Sequence, residues 1–131
     1  MTPEDVHTVA RLVPPGRVVS YGDIAALFAA NPRQVGRYLS GCGDPGVPWW
    51  RVTNASGRLP RPLTDEAASH WRAEGTPTRA DGSGVLMARA RADLPALADA
   101  AEAALGRLPG LAAGEVEAAG AAWETGTVAR P

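Results

Sequence analysis

The chain has 131 residues, 45% of them hydrophobic and 21% charged, enough for one domain with a modest core and a tail. It has no apolar run near the roughly 20 residues of a membrane helix and no leader-like start; its one cysteine, Cys42, and two histidines, His7 and His70, exclude an intramolecular disulfide and argue against a structural zinc site. The net charge of −1 is uneven, with nine Arg against seven acids in residues 1–80 and four Arg against seven acids in residues 81–131, so any basic face belongs to the N-terminal part.

Thr2-Pro3-Glu4-Asp5 reads as a helix start, with Thr2 as N-cap, Pro3 at the first helical position and acids in the first turn. Val6, Val9, Ala10 and Val13 recur at helical spacing, and Pro14-Pro15-Gly16 stops the helix. Arg17-Val18-Val19 is a short extended stretch. Ser20 with Asp23 three residues later is the signature of a second capped helix, with Ile24, Leu27 and Phe28 on its apolar face. Asn31-Pro32-Arg33-Gln34 repeats the device, Gln34 being the reciprocal partner, and a third helix runs to about Ser40 with Val35 and Leu39 inward. Two short helices joined by a tight turn predict a helix-turn-helix.

Residues 41–47 are rich in Gly and Pro and predict a loop. Arg51-Val52-Thr53, the turn Asn54-Ala55-Ser56-Gly57, and Arg58-Leu59 predict a β-hairpin that would form a wing. Thr64-Asp65-Glu66 is expected to cap a fourth helix that buries Ala67, Ala68 and Trp71 and ends at Gly75. Residues 76–84 read as a loop, and residues 85–92 fit either a strand or a helical turn. Leu94 to Leu108 predicts a final helix. The expected fold class is therefore mainly α: a winged helix-turn-helix domain over residues 1–80, a helical extension over 81–108, and a disordered tail over 109–131.

The side chains that invite a chemical reading lie between the second helix and the predicted wing. Trp49 and Trp50 sit on a segment expected to be extended, where neighbours point opposite ways. Either both fill the core beneath the wing, or one lines a pocket while the other packs behind it. Arg33 is either a solvated helix residue or a planar, permanently charged group placed to stack. Tyr21 is either a helix-start residue packed on the wing or a contact beside it. Ser20 and the amides of its helix start can bind phosphate. Gly36 allows close approach of a backbone. Arg51 either pairs with a carboxylate or loop carbonyls or reaches outward, and Arg58 and Arg61 offer charge on the wing side. Cys42 lies in a Gly-rich loop with no histidine nearby in sequence to activate it.

Taken together, Pro15-Gly16-Arg17-Val18-Val19-Ser20-Tyr21-Gly22-Asp23-Ile24-Ala25, Arg33-Gln34-Val35-Gly36 and Pro48-Trp49-Trp50-Arg51 resemble the DNA-binding domain of the O6-alkylguanine-DNA alkyltransferases. The resemblance spans roughly residues 3–78. In those enzymes the last motif carries the alkyl-accepting cysteine and the histidine that helps activate it; here Trp49 and Trp50 stand in their places, and Trp has neither a reactive nucleophile nor a basic nitrogen. This pattern is similar to the alkyltransferase-like proteins, which bind alkylated guanine without repairing it. The resemblance implies that Arg33 enters the base stack, that Tyr21 crowds the phosphate beside the target nucleotide, and that Trp49 walls the pocket for the flipped base. Gly36 and Arg51 complete the matched motifs and are expected beside the DNA; Ser20 and Arg61 are expected to contact phosphate by their own chemistry, since the loop Leu59-Pro60-Arg61-Pro62 departs from the enzyme pattern and no family residue maps onto Arg61. Glu74, in Arg72-Ala73-Glu74-Gly75, matches the glutamate that supports the histidine in the enzymes and has no such histidine to orient here. The turn before Arg33 is about two residues shorter than in the family.

The function so implied is non-enzymatic recognition of O6-alkylguanine in duplex DNA by base flipping, with hand-over to nucleotide excision repair proteins, by a monomeric cytoplasmic protein with no cofactor and no metal. The alternatives are a winged-helix DNA-binding regulator without lesion specificity, an enzyme that transfers an alkyl group to Cys42, and a protein-interaction domain suggested by the acidic C-terminal half.

Overall fold

Local capping chemistry sets the first two helices. In the computed structural model, which describes residues 1–40 and 42–112, Thr2 and Asp5 exchange hydrogen bonds, Thr2 Oγ1 accepting from Asp5 N at 3.1 Å and Asp5 Oδ2 from Thr2 N at 2.8 Å. They start α1 (Pro3–Leu12), which buries Val6, Val9 and Ala10 and stops where Pro14 and Pro15 cannot continue it. Ser20 and Asp23 do the same for α2 (Tyr21–Phe28), at 3.0 and 2.8 Å. A short turn, with Ala29 in left-handed geometry at φ 52°, leads into α3 (Pro32–Ser40). Asn31 caps α3 by accepting from Arg33 N at 2.8 Å. Gln34 is not its reciprocal partner: the carboxamide reaches along the helix to the Tyr38 hydroxyl instead, at 3.4 Å.

The predicted hairpin is replaced by a different pairing. Val52–Thr53 forms β2, which pairs in parallel with β1 (Val19–Ser20), Val19 opposite Val52 and Ser20 opposite Thr53. The turn at residues 54–57 forms as expected, closed by Gly57 N on the Asn54 carbonyl and Asn54 N on the Arg58 carbonyl, both at 2.9 Å. Arg58 N, however, returns to the Asn54 side chain, whose Oδ1 accepts from Ser56 N and Arg58 N at 3.0 and 2.9 Å, and no strand ladder follows. The Gly57 carbonyl accepts from Val85 N at 2.8 Å, a distant partner, and Pro60 has no N–H to extend a ladder. Gly57, at φ 84°, leaves no room for a Cβ against the Val85 carbonyl. The chain then enters α4 (Arg61–Glu74) with Pro60 at the N-cap, four residues earlier than the Thr64 cap predicts, and leaves it at Gly75 in left-handed geometry.

The C-terminal part is built into the same body. Val18 N donates to the Ala90 carbonyl at 2.9 Å and Ala92 N to the Val18 carbonyl at 3.0 Å, on either side of Arg91. The ambiguous stretch 85–92 is thus a bridge at Val85, a short helix α5 (Met87–Ala90) and a bridge at Arg91. The Arg91 guanidinium meets the buried Asp23 carboxylate at 3.2 Å, fastening this segment to the α2 N-terminus. Helix α6 (Leu94–Leu105) packs on α1, and α7 (Pro109–Ala112) packs on α2. Residues 109–112 are therefore helical, where the sequence suggests a tail; the remainder of that tail lies outside the described residues.

One apolar cluster joins α1, α2, α3, β1, β2 and α6 through Val6, Val9, Val19, Ile24, Val35, Val52, Leu97 and Ala101. A second, of Val18, Leu59, Ala67, Trp71, Val85 and Ala90, lies under Trp49 and Trp50. The fold class is mainly helical with a minor two-stranded sheet, as the sequence predicts.

Candidate functional site

Pro48 and β2 bracket a single 3₁₀ turn, Trp49–Arg51, closed by Arg51 N donating to the Pro48 carbonyl at 3.0 Å. The segment is not extended, and the two indoles are not back to back: their ring centroids lie 5.7 Å apart with planes at 85°. Trp49 faces a cleft of about 370 Å³ between α3 and the start of α4. Tyr21, Gly36, Leu39, Val52, Leu59 and Leu63 supply most of its apolar wall, and Arg37, Ser40, Cys42 and Glu66 supply its polar positions. Tyr21 is half-buried there, and burial pushes its phenol pKa up from the ordinary value.

Trp50 turns away from the cleft and into a hydrogen-bonded cluster. Its indole N–H donates to Glu74 Oε2 at 2.9 Å. Arg51 donates to the same carboxylate from Nε at 3.1 Å and from Nη2 at 2.7 Å, and from Nη1 to the Val13 carbonyl at 3.0 Å. Gly16 N adds a further bond to Glu74 Oε1 at 3.1 Å. Burial pushes the Glu74 carboxyl up, but the bonds from Arg51, Gly16 and Trp50 and the Arg51 charge outweigh it, so its pKa lies below the ordinary value. Glu74 is thus no idle remnant: its carboxylate joins α4 to Gly16 and the 3₁₀ turn, and Arg51 extends the cluster to Val13 at the end of α1.

His70 belongs to this cluster and was not singled out from the sequence. Its ring stacks on Trp50 with centroids 3.6 Å apart and planes 6° from parallel, and meets Trp49 edge-on at 6.0 Å and 80°. The available signal was its helical position, one residue before the buried Trp71 and one turn before Glu74.

The remaining predicted residues separate into committed and open groups. Arg51, with a side chain 14% exposed, gives its donors to Glu74 and Val13, the pairing with a carboxylate and a carbonyl that the sequence offers. Ser20 is buried with its hydroxyl capping α2, the cap that the sequence predicts. Gly36 opens onto the Tyr21 ring, where an added Cβ would sit 3.9 Å away in ordinary contact. Arg33 is exposed at the start of α3, and Arg37, one turn on, reaches the cleft. Arg61 lines a second hollow of about 450 Å³ with Arg58, Leu59, Thr64, Asp65 and Ser83. Among the described residues no side chain pairs with Arg33, Arg37, Arg58 or Arg61, whereas Arg11, Arg51 and Arg91 all bind carboxylates.

The family profile described as "6-O-methylguanine DNA methyltransferase, DNA binding domain" matches residues 2–76, from the α1 cap to the residue after the Gly75 stop. Among solved structures, the fold is similar to S. pombe Atl1 in complex with damaged DNA containing O6-carboxymethylguanine. That likeness has a TM-score of 0.61 at 21% identity, and covers 70% of this chain and 94% of that one. No curated protein matches the chain.

Proposed function

Because the chain belongs to the family of the 6-O-methylguanine DNA methyltransferase DNA-binding domain, we propose that it is a non-enzymatic sensor of O6-alkylguanine in duplex DNA. Trp49 carries this reading. The Pro-x-x-Arg turn, where the family bears its acceptor cysteine, here presents an indole to an apolar cleft. An indole has no nucleophile to accept an alkyl group, but its flat apolar face can pack against a purine and its substituent. The fold it shares with Atl1, which was solved on damaged DNA, supports the same assignment.

In this reading α3 docks on the duplex, Arg33 fills the gap left by the target nucleotide, Tyr21 crowds the adjacent phosphate, and the flipped guanine rests against Trp49. Gly36 lets the α3 backbone approach, and Arg61 meets phosphate. Flipping costs a few kcal/mol, less where alkylation has weakened the base pair. That difference, with apolar contact to the alkyl group, gives selectivity. The protein acts as a monomer in the cytoplasm, needs no cofactor, and hands the bound lesion to nucleotide excision repair.

A competition titration tests this directly: a labelled duplex with one O6-methylguanine against the same unmodified duplex at fixed salt. Tighter binding to the lesion, with the base unchanged afterwards, is expected; equal affinity for both duplexes would sink lesion recognition. One observation favours a second reading, alkyl transfer to protein, because Cys42 lines the same cleft as Trp49. Intact-protein mass after incubation with lesion DNA decides it: a gain of one alkyl group supports transfer, and an unchanged mass excludes it.

A further inference from the structure

We propose that His70 is a positioning residue for Trp49, acting through the Trp50 stack. The role rests on the reading of Trp49 as the wall for a flipped base. Trp49 lies on a three-residue turn and is only partly buried, so its indole needs a support to hold one orientation. Trp50 supplies one, and Trp50 is itself fixed at three points by one helix. Glu74 accepts its indole N–H at 2.9 Å, Trp71 donates its own indole N–H to the Trp50 carbonyl at 2.8 Å, and His70 covers the ring face at 3.6 Å. The imidazole also meets the Trp49 ring directly, near-perpendicular at 6.0 Å.

Trp49 therefore stands against two rings that lie parallel to each other, and near-perpendicular aromatic pairs favour that arrangement. Remove the imidazole and one ring is lost from this support while Trp50 loses the cover on its face. The cleft keeps its composition but not the fixed orientation of its wall, which must then be ordered on binding.

The test uses His70→Ala and His70→Phe in the full chain, with two readouts. Near-UV circular dichroism of the free protein reports the coupling of Trp49 to Trp50. Titrations on lesion and plain duplexes give the ratio of the two affinities. His70→Ala is expected to weaken the Trp–Trp signal and lower the ratio about three- to tenfold, the plain-duplex affinity holding within about twofold. His70→Phe, which keeps a flat ring, restores both. An unchanged signal and ratio in His70→Ala overturns the proposal. So does an equal loss on both duplexes, or a failure of Phe to rescue while thermal unfolding is preserved. If the wild type shows no lesion preference, the sensor reading fails by itself. The dichroism then decides on His70 alone: loss in Ala and recovery in Phe keeps the positioning role, and no change removes it.

Discussion

Gly36 separates what the fold requires from what a ligand would require. It is a helix-interior glycine, which costs about 0.5–1 kcal/mol relative to alanine. Tyr21 is the neighbour an added methyl would meet, at a comfortable 3.9 Å. Packing therefore gives no reason for the missing side chain. Gly36→Ala is expected to raise the unfolding free energy by about 0.5–1 kcal/mol and, if α3 lies against DNA here, to weaken duplex binding several-fold. Chemical denaturation and a binding titration on one preparation read both effects. A variant that is more stable and binds DNA undiminished would remove Gly36 from the interface. His70 poses the opposite case: its residue type and its place on α4 were visible, but its stacking partner lies 20 positions away in the chain, and nothing in the spacing announces the contact.

Among elements, the cluster on Glu74 bears most weight, tying α4 to the 3₁₀ turn, the end of α1 and Gly16. Both partners of the Arg51–Glu74 pair are 14% exposed, so removing one charge leaves the other largely desolvated, a change that costs about 3 kcal/mol or more. Glu74→Gln is expected to destabilise by roughly that amount at neutral pH. The pKa of Glu74 is lower folded than unfolded, so its stabilisation is fully present above the unfolded value and is lost as pH falls through the folded one. The gap between wild type and variant should hold steady at neutral pH and shrink once the pH drops below the ordinary glutamate value of 4.5. A gap independent of pH would mean that Glu74 acts by shape rather than charge. The same elements mark how far the sequence could be read. The Thr2–Asp5 and Ser20–Asp23 caps were legible because every partner lies within three residues. The spacing that predicts a hairpin cannot show Val85, which takes the Gly57 carbonyl from 28 positions away, while β2 pairs with β1. The Pro-x-x-Arg motif gave the place of Trp49 but not the turn it lies on.

For the molecule as a whole, a net charge of −1 is a poor guide to what its surface can hold. Arg11, Arg51 and Arg91 are spent on carboxylates within the fold. Asp93, Asp99 and Glu102 are carried at the start and along the exposed side of α6, which packs on α1 and contributes nothing to the cleft. Arg37, Arg58 and Arg61 line the two hollows and Arg33 is exposed one turn before Arg37, all four without a carboxylate partner among the described residues, with Glu66 and Asp65 as the acids in those linings. Each phosphate neutralised by such a group releases counterions and steepens the fall of log affinity with log salt by about 0.9 on duplex DNA. Titrations over a salt series are expected to give a slope of about −2 to −4 for lesion and plain duplex alike, because phosphate contacts do not depend on the base. Arg61→Ala should flatten both slopes by about 1 and leave the lesion-to-plain ratio where it was. Arg51→Ala should act instead on stability, since its donors already serve Glu74 and Val13. A slope near zero would mean that the free arginines hold no phosphate, and that the basic face of this chain meets something other than DNA.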